Sequence, residues 1–464
     1  MFGLNRQVRK LLEEQGHAAP RDGLSADDMS LVEVLPLGML LREAVEADDI
    51  AGRATGRTRS QLRLDAAILW REVTRRSGEV RALSRAASSA EDAMEHYGAG
   101  SAGWARARCE QGFAAMLGAE MFGDGGLVVA AEAAFRDALT GPRRCLALPH
   151  AEIGLLTLRG RRALAAGDAQ AARIAAARFA QPIATLKEMS RRIRTARMLS
   201  VDGHIMRAEL LCDWGARLED APLLRAAARD THTAASGLTP DFEPLTIARI
   251  GFARARAQIA LGDVEANAEA ILGGVDLIYV ILADLTLEHS PLDHARGEYI
   301  AGCGLKVLGD ISGDARYFER ALTAFDRAAG VIAQREGLVL RAEIGSRRAV
   351  CLARIAEISC DVNALKSAEK ALKQELANPL TVRNPHSWAR LQLFLARLLL
   401  ARLEITRRDR GERAGARSAL SSAVDALSED GLRALGRSAR QTLERVSTAM
   451  SEPAAKPEPP PKAG

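Results

Sequence analysis

The residues of this chain that could most readily bind a metal lie in the stretch EHSPLDH, residues 288 to 294. Imidazole nitrogens and carboxylate oxygens are zinc ligands, and the stretch offers Glu288, His289, Asp293 and His294. Their spacing matches no recognised zinc pattern, and His294 stands at a packing position that recurs along the chain. We therefore interpret His294 as a structural histidine and predict no metal site.

Two glycine-rich stretches, GDGG at 123 to 126 and GCG at 302 to 304, resemble fragments of phosphate-binding loops. Neither follows a strand pattern or continues as a phosphate loop, so we interpret both as turns and close-packing positions. The six cysteines are scattered without a Cys-x-x-Cys pair, and the sequence suggests no Ser/His/Asp or Cys/His constellation. The sequence predicts a protein that is not an enzyme and has no cofactor or small-molecule substrate.

The composition favours helices over sheets. Hydrophobic residues make up 48% of the 464 residues, but aromatic residues make up only 4%, and alanine is abundant. Sheets prefer β-branched and aromatic residues, and sustained period-two alternation is missing almost everywhere. Because a chain of this length exceeds one ordinary core, we expect an all-α protein built as a repeat array or as several domains.

Targeting and charge signals are weak. No secretory signal opens the chain, and no apolar run reaches the ~18 residues of a membrane span, so we expect a cytoplasmic protein with reduced thiols. The net charge is +5, and only eight of the 64 basic residues are lysine, a usage that suggests a bacterial source. The basic stretches at 190–197 and 405–413 are interspersed with acidic helices, which favours solvated faces over a nucleic-acid surface.

A repeated turn gives the chain its period. Gly just after a helix supplies a left-handed residue, and a following Asp caps the next helix. Four anchors stand in a Gly-Asp step, Asp124, Asp168, Asp263 and Asp314, and four weaker turns supply the others, Glu79, Asp220, Asp361 and Glu412. Each anchor is followed seven positions later by alanine, and the anchors are 45, 44, 52, 43, 51, 47 and 51 residues apart. The anchors and their alanines are Glu79 and Ala86, Asp124 and Ala131, Asp168 and Ala175, Asp220 and Ala227, Asp263 and Ala270, Asp314 and Ala321, Asp361 and Ala368, and Glu412 and Ala419.

The residues around each turn predict a pair of helices, A and B. Eleven positions after three of the anchors stand Phe135, Phe179 and Phe325, on the helix face that carries the alanines. Small residues occupy helix A where helix B must approach, at Gly112, Gly302 and Ala396. Helix A begins near an aromatic residue or histidine: Trp104, His150, His294 and Trp388. Because one pair cannot bury its apolar face alone, about eight pairs are expected to stack.

These residues resemble tetratricopeptide repeats, in the longer-period bacterial form. The best copy runs from Pro291-Leu292-Asp293-His294-Ala295 through Gly302 and Gly313 to Ala321, Phe325 and Ala328, with His294 where the pattern has Trp. The resemblance covers about residues 60 to 430. It implies a right-handed α-solenoid whose A helices line a concave surface, and a non-catalytic scaffold or adaptor that binds a partner protein. The Lys and Asn clamp of chaperone-binding members is not evident here.

The domain organisation has three predicted parts. Residues 1–50 form an N-terminal helical segment or cap, residues 60–445 the repeat array, and residues 451–464 a Pro-rich disordered tail. Residues 2–12 have apolar and basic faces, so they either lie on an anionic membrane surface or cap the first repeat. This leaves a membrane-surface scaffold and an arginine-rich nucleic-acid regulator as alternative functions.

The predicted partner-binding residues are basic and lie on the A helices. Arginine's planar fork suits carboxylates, so we predict that the groove grips an acidic or C-terminal peptide segment. The alternative is that these are ordinary solvated side chains. The residues are Arg106, Arg296, Lys306, Arg390 and Arg397.

Overall fold

The computed structural model describes residues 29–333, 337–429, 439–442 and 444, and throughout these residues the chain is helical without a strand. The predicted amphipathic segment 2–12 and the tail 451–464 lie outside the described residues. The all-α prediction is confirmed. The helices are α1 Met29–Val34, α2 Leu37–Arg53, α3 Gly56–Ser77, α4 Val80–Ala93, α5 Ala102–Phe122, α6 Gly125–Ala138, α7 Ala147–Ala165, α8 Ala169–Arg178, α9 Ala180–Met189, α10 Arg194–Leu218, α11 Ala221–Ala235, α12 Pro244–Val264, α13 Ala268–Asp284, α14 Pro291–Ser312, α15 Ala315–Val331, α16 Val339–Ser359, α17 Val362–Leu376, α18 Pro379–Val382, α19 Pro385–Thr406 and α20 Glu412–Glu429.

Successive helices pack as antiparallel pairs joined by short turns. The A helices are α3, α5, α7, α10, α12, α14, α16 and α19, and each packs against the helix that follows it. The short helices α9 and α18 are inserted between pairs, which explains why the anchor spacing is longest at Asp168 to Asp220, 52 residues, and reaches 51 at Asp361 to Glu412. The exact number of repeats over the whole chain stays a prediction, as do the three domain boundaries.

The Gly-Asp turn works as expected in most repeats. Gly123 has φ 66° and Gly313 has φ 68°, the left-handed region that glycine adopts without strain. The Asp124 side chain accepts a hydrogen bond from the amide of Gly126 at 2.8 Å, and Asp314 accepts one from Arg316 at 2.9 Å. These bonds satisfy amide groups that have no partner inside the helix, so they fix the start of helix B.

The anchor at Asp263 was wrong. Helix α12 continues through Gly262 and Asp263, and the chain turns at Ala266, which has φ 51°. Asn267 caps α13 instead, since its side chain accepts the amide of Ala270 at 3.1 Å. Seven residues after Asn267 stands Gly274, which is buried against Ile259. With Asn267 as the anchor, the steps from Asp220 and to Asp314 are both 47 residues.

Large aromatic rings fill the space that glycines leave in the facing helices. Phe135 and Phe325 are fully buried. A Cβ atom built on Gly112 or Gly154 would come within 2.6 Å or 2.4 Å of the Phe135 ring, and one on Gly302 within 2.6 Å of Phe325. Ala131 and Ala321 are also fully buried, so these two alanines and the two rings lie on the buried side of their helices. The residues that open the A helices, Trp104, His294 and Trp388, are only half-buried.

The array turns back on itself. The first A helix, α3, packs against α14, and α5 approaches α16 in the same way. Helix α1 contacts α12 and α10, so the segment before the array is docked against its middle. Helices far apart in sequence therefore face each other across the side on which the A helices lie. Within the described ranges, none of the helices combines the length and apolarity needed to cross a membrane.

Candidate functional site

Five A helices, α10, α12, α14, α16 and α19, enclose one cavity of about 350 Å³. Its apolar wall includes Ile259, Ile300 and Val307. Its cationic side chains outnumber its two carboxylates, Asp213 and Asp263. We call this space the basic cavity, after the cations that line it: Arg217, Arg256, Lys306, Arg347 and Arg390.

Three of the five cations are engaged by the protein itself. Arg256 pairs with Asp213 at 2.6 Å, and Lys306 pairs with Asp310 at 2.5 Å. Arg217 donates to the carbonyl oxygen of Leu164 at 2.9 Å. Among the described residues, Arg390 has no bond of this kind to a carboxylate or a carbonyl. Arg347 makes no ion pair either, but it is hydrogen-bonded to Tyr299. Burial lowers the pKa of Arg347, but Cys303, Tyr299 and Glu343 together raise it above the usual range, so Arg390 is the less stabilised of the two.

Arg347 and Arg390 form no ion pair with any carboxylate of the described residues, although Arg390 is only 7% exposed. Burial, and next the charge of Arg347, lower the pKa of Arg390 to about 9. The Glu343 carboxylate acts in the opposite direction, but it also accepts a hydrogen bond from the Tyr299 hydroxyl at 2.9 Å. A buried guanidinium whose pKa falls is one whose charge is poorly stabilised.

His386 adds a buried donor to the same wall. Arg390 donates a hydrogen bond to Nε2 of His386, so Nδ1 of the neutral ring carries the proton. The ring is neutral because burial, and then the charges of Arg390 and Arg217, hold the pKa of His386 well below its usual range. Its Nδ1 atom is buried without a hydrogen-bond partner among the described residues. The cavity thus presents one buried donor, Nδ1–H of His386, that lacks an acceptor among the described residues.

The Cys212 thiol of the basic cavity is not an activated nucleophile. Burial raises the pKa of the Cys212 thiol to about 12, so it stays protonated at neutral pH. The Tyr299 hydroxyl is held by Glu343, and burial raises the pKa of Tyr299 well above its usual range. The arrangement is therefore suited to binding an anion rather than to covalent chemistry.

A Cys–His pair that the sequence did not reveal lies between α5 and α7. The Cys109 sulfur is 3.5 Å from Nδ1 of His150, whose ring stacks on Phe113 with centroids 3.9 Å apart. Burial raises the pKa of Cys109 well above its usual range and lowers that of His150 to about 3. Both groups are neutral, and Glu110 is held by Arg71 at 2.8 Å. The pair lacks the thiolate and imidazolium of a catalytic dyad.

The candidate metal ligands of the EHSPLDH stretch form a tertiary contact instead. His289 donates through Nε2 to the carbonyl oxygen of Glu33, and the Glu288 carbonyl accepts the amide of Leu37 at 3.0 Å. Asp293 pairs with Arg75 at 2.6 Å. His294 is half-buried and takes no part in these bonds, and its structural role stays a prediction. The described residues contain no group of three or more His, Cys, Asp or Glu side chains that could hold a metal ion.

This contact joins the first pair and the segment before it to α12 and α14, and we call it the seam. In it, Glu72 bonds Arg75 at 2.8 Å and Arg76 at 2.7 Å, and Glu33 accepts the amide of Thr246 at 2.8 Å. Arg75 and Arg76 share Glu72, and Arg75 also pairs with Asp293 at 2.6 Å, so both arginines of the seam have carboxylate partners within the chain. The seam is defined by Glu33, Glu72, Arg75, Arg76, Thr246, His289 and Asp293.

The five predicted partner-binding residues do not lie in one strip. Lys306 and Arg390 line the basic cavity, whereas Arg106 lines a separate cavity of about 50 Å³ beside Cys109 and His150. Arg296 lies between Asp293 at 3.7 Å and Glu120 at 4.0 Å. Arg397 pairs with Glu357 at 3.1 Å and lies over the Phe394 ring.

The sequence missed Arg217, Arg256, Arg347 and His386. Arg217 lies near the end of α10, Arg256 in the middle of α12 and Arg390 in the first turns of α19. From one A helix to the next, the residues that line the cavity lie progressively closer to the N-terminus of the helix. No fixed offset from the opening residue could have found these side chains, and α16 has no aromatic opener to count from.

Stacked helix pairs with a capped two-residue turn and a small-to-large contact between A and B helices make up the fold. This helical-repeat fold is similar to that of tetratricopeptide-repeat proteins. No protein-family model matches the chain, and no curated protein matches its sequence.

Solved structures with a similar course of helices include tetratricopeptide-repeat proteins. A Rap protein complexed with competence and sporulation factor is 11% identical, with 84% of this chain and 98% of that chain covered and a TM-score of 0.43. The human IFIT1 dimer with m7Gppp-AAAA is 11% identical, with 96% and 94% covered and a TM-score of 0.44. The TPR domain of P58(IPK) is 12% identical, with 88% and 98% covered and a TM-score of 0.25. At these values no ligand or partner is transferred to this chain.

Proposed function

We propose that this tetratricopeptide-like protein is a non-catalytic scaffold that holds an acidic segment of a partner protein in the basic cavity. One observation carries the proposal: five successive A helices converge on a cavity in which Arg347 and Arg390 have no carboxylate partner among the described residues. A buried charge without a partner costs free energy, and an incoming carboxylate would remove that cost.

Besides its positive charge, the basic cavity has an apolar wall that suits a peptide segment. Ile259, Ile300 and Val307 provide apolar surface beside the guanidinium groups. Ligand sites commonly combine apolar walls with a few polar groups that fix orientation. An acidic segment with one apolar side chain would use both, and arginine forks bind carboxylates in a bidentate manner.

The nucleic-acid alternative receives less support from the structure. In the basic stretch 190–197, Arg197 pairs with Glu243 at 2.6 Å. In the stretch 405–413, Arg413 faces Asp409 at 3.7 Å. Each of these pairs reduces the charge that its stretch can offer a phosphate backbone. The membrane alternative rests on residues 2–12, which lie outside the described residues, and a cytoplasmic location stays an expectation.

The test is binding of a fluorescein-labelled peptide of alternating Glu and Leu to the full chain, measured by fluorescence anisotropy. Arg347→Gln removes a cavity cation. Arg136→Gln is the matched control, because Arg136 is 62% exposed on α6 and pairs with Glu132. We expect the affinity to fall about tenfold in Arg347→Gln, roughly 1.4 kcal/mol, and to stay unchanged in the control. Equal affinities for the two variants would refute the cavity as the binding site.

The prediction that Arg106 and Arg296 bind the partner is tested in the same assay. Arg106→Glu and Arg296→Glu should weaken binding less than Arg347→Gln, because neither residue lines the basic cavity. A larger loss at Arg106 than at Arg347 would place the peptide at the smaller cavity beside His150.

A further inference from the structure

The part of the basic cavity between α16 and α19 has features that the binding of an acidic segment does not by itself require. Arg347, His386 and Arg390 lie there together, and none of them meets a carboxylate of the described residues as an ion pair. Two arginines repel each other when buried side by side. An anion between them would offset that repulsion more directly than a charge at the rim.

His386 supplies an observation that is independent of charge. Its Nε2 atom accepts a hydrogen bond from Arg390, which leaves Nδ1–H as a buried donor without an acceptor. Leaving a buried donor unsatisfied is costly, so its persistence points to an acceptor that the chain itself does not supply. Burial of the ring keeps it neutral, so it would act as a hydrogen-bond donor and not as a cation.

The number of donor groups decides between anions. Arg390 uses one N–H on His386, and Arg347 has a hydrogen bond with Tyr299. The N–H groups that remain on the two guanidiniums, with the imidazole N–H, still outnumber what the two oxygens of a carboxylate can accept in good geometry. A phosphoryl group has three terminal oxygens and close to two charges at neutral pH, and arginine binds it in a bidentate manner.

We propose that Arg347, His386 and Arg390 form a phosphoryl-binding site, which takes the phosphate of a phosphorylated side chain on the partner segment. This inference rests on the proposed function, because it names the group that the acidic segment brings to the cavity. The surrounding cavity of about 350 Å³ leaves room for the side chain that carries the phosphate. Inorganic phosphate offers the same chemistry and would enter the same site.

The experiment compares two labelled peptides that differ at one residue, phosphoserine or glutamate, in a Leu-rich acidic sequence. Each is titrated into the full chain and followed by fluorescence anisotropy, and inorganic phosphate is added as a competitor. The variant Arg390→Gln removes one fork, and its amide can still donate to His386. The matched control is Arg397→Gln on the same helix, since Arg397 pairs with Glu357 and does not line the cavity.

We expect the phosphoserine peptide to bind the native chain at least tenfold more tightly than the glutamate peptide. Arg390→Gln should abolish this preference, Arg397→Gln should keep it, and inorganic phosphate should displace the phosphoserine peptide. Equal binding of the two peptides would overturn the phosphoryl site while leaving the acidic-segment scaffold in place. Stabilisation by inorganic phosphate without binding of either peptide would support the site and overturn the scaffold. No response to peptide or phosphate would overturn both.

Discussion

The seam and the basic cavity are two buried clusters of charge between A helices, and they differ in how the charge is balanced. In the seam, Arg75 lies between Glu72 at 2.8 Å and Asp293 at 2.6 Å. The fully buried Arg76 donates to the carbonyl oxygens of Val32 at 2.7 Å and Leu35 at 2.6 Å. In the basic cavity, Arg347 and Arg390 have no such carboxylate partners.

The difference shows which buried charges find their partners within the folded chain. The seam's partners come from α3 and α14, so folding alone brings the matching charges together. Burial raises the pKa of Asp293, but the charges of Arg75 and Arg296 more than offset this and hold it below the usual range. In the cavity, burial and Arg347 act together on Arg390 in the unfavourable direction. The contrast therefore lies in Arg390, which has no carboxylate partner among the described residues, whereas each seam arginine has at least one.

Removing a seam charge should produce the largest effect. Asp293→Asn leaves Arg75 buried with one of its two carboxylates, and breaking a buried pair costs about 3–5 kcal/mol. We expect a loss of that size in the free energy of unfolding, measured by urea denaturation. The matched control is Asp326→Asn, because the Asp326–Arg348 pair is largely exposed and should cost below about 1 kcal/mol. If the two variants lost equal stability, the seam would be no more structural than a surface pair.

The second-largest expected effect is a pH dependence of the free energy of unfolding that arises from Glu33. Burial, partly offset by hydrogen bonds from Thr246, raises the pKa of Glu33 from 4.5 to about 7. Because the folded chain holds this proton more tightly than the unfolded chain, the contribution to stability is full below about pH 4.5. It is lost as the pH rises through 7, and the whole change is on the order of 3 kcal/mol.

A variant is needed to separate the titration of Glu33 from the titrations of the other ionisable residues in the seam. Burial, then the charge of Arg76, lowers the pKa of His289, which contributes with the opposite sign as the pH rises. Asp293 and Glu72 have lowered pKa values, so their contributions are lost only as the pH falls through the acidic range. Glu33→Gln removes the titration and keeps an acceptor for Thr246. The stability gained by this variant should grow between pH 5 and pH 8, and a gain that is constant across that range would contradict the assignment.

Removing a cavity charge should have the smallest effect and the opposite sign. In phosphate-free buffer, Arg390→Gln eliminates a buried charge and leaves no carboxylate without a partner. We expect the free energy of unfolding to rise by about 1 kcal/mol, since replacing an unfavourable buried charge is often stabilising. Differential scanning calorimetry would check this through the melting temperature. A clear loss of stability in Arg390→Gln would mean that the cavity is balanced like the seam and awaits no anion.

The helix pairs could be predicted from the sequence because their signals are local. The Gly–Asp step, the alanine seven residues later and the aromatic eleven residues later all lie within a few turns of one helix. Where a residue other than glycine takes the left-handed conformation, as Ala266 does, the signal shifts, and the turn at Asn267 was missed for that reason. The resemblance to tetratricopeptide repeats is confirmed at the level of the fold.

The sequence alone therefore determined the helical class, the turn that starts most B helices and the rings of Phe135 and Phe325 buried against glycines. Only the tertiary structure decided that Asp293 meets Arg75, that His289 bonds Glu33, and that Arg347 and Arg390 share a cavity. The physical reason is that each helix pair determines only its contact with the next pair. The path of the whole array results from adding the small rotations between successive pairs. Contacts that depend on that sum have no fixed spacing along the chain.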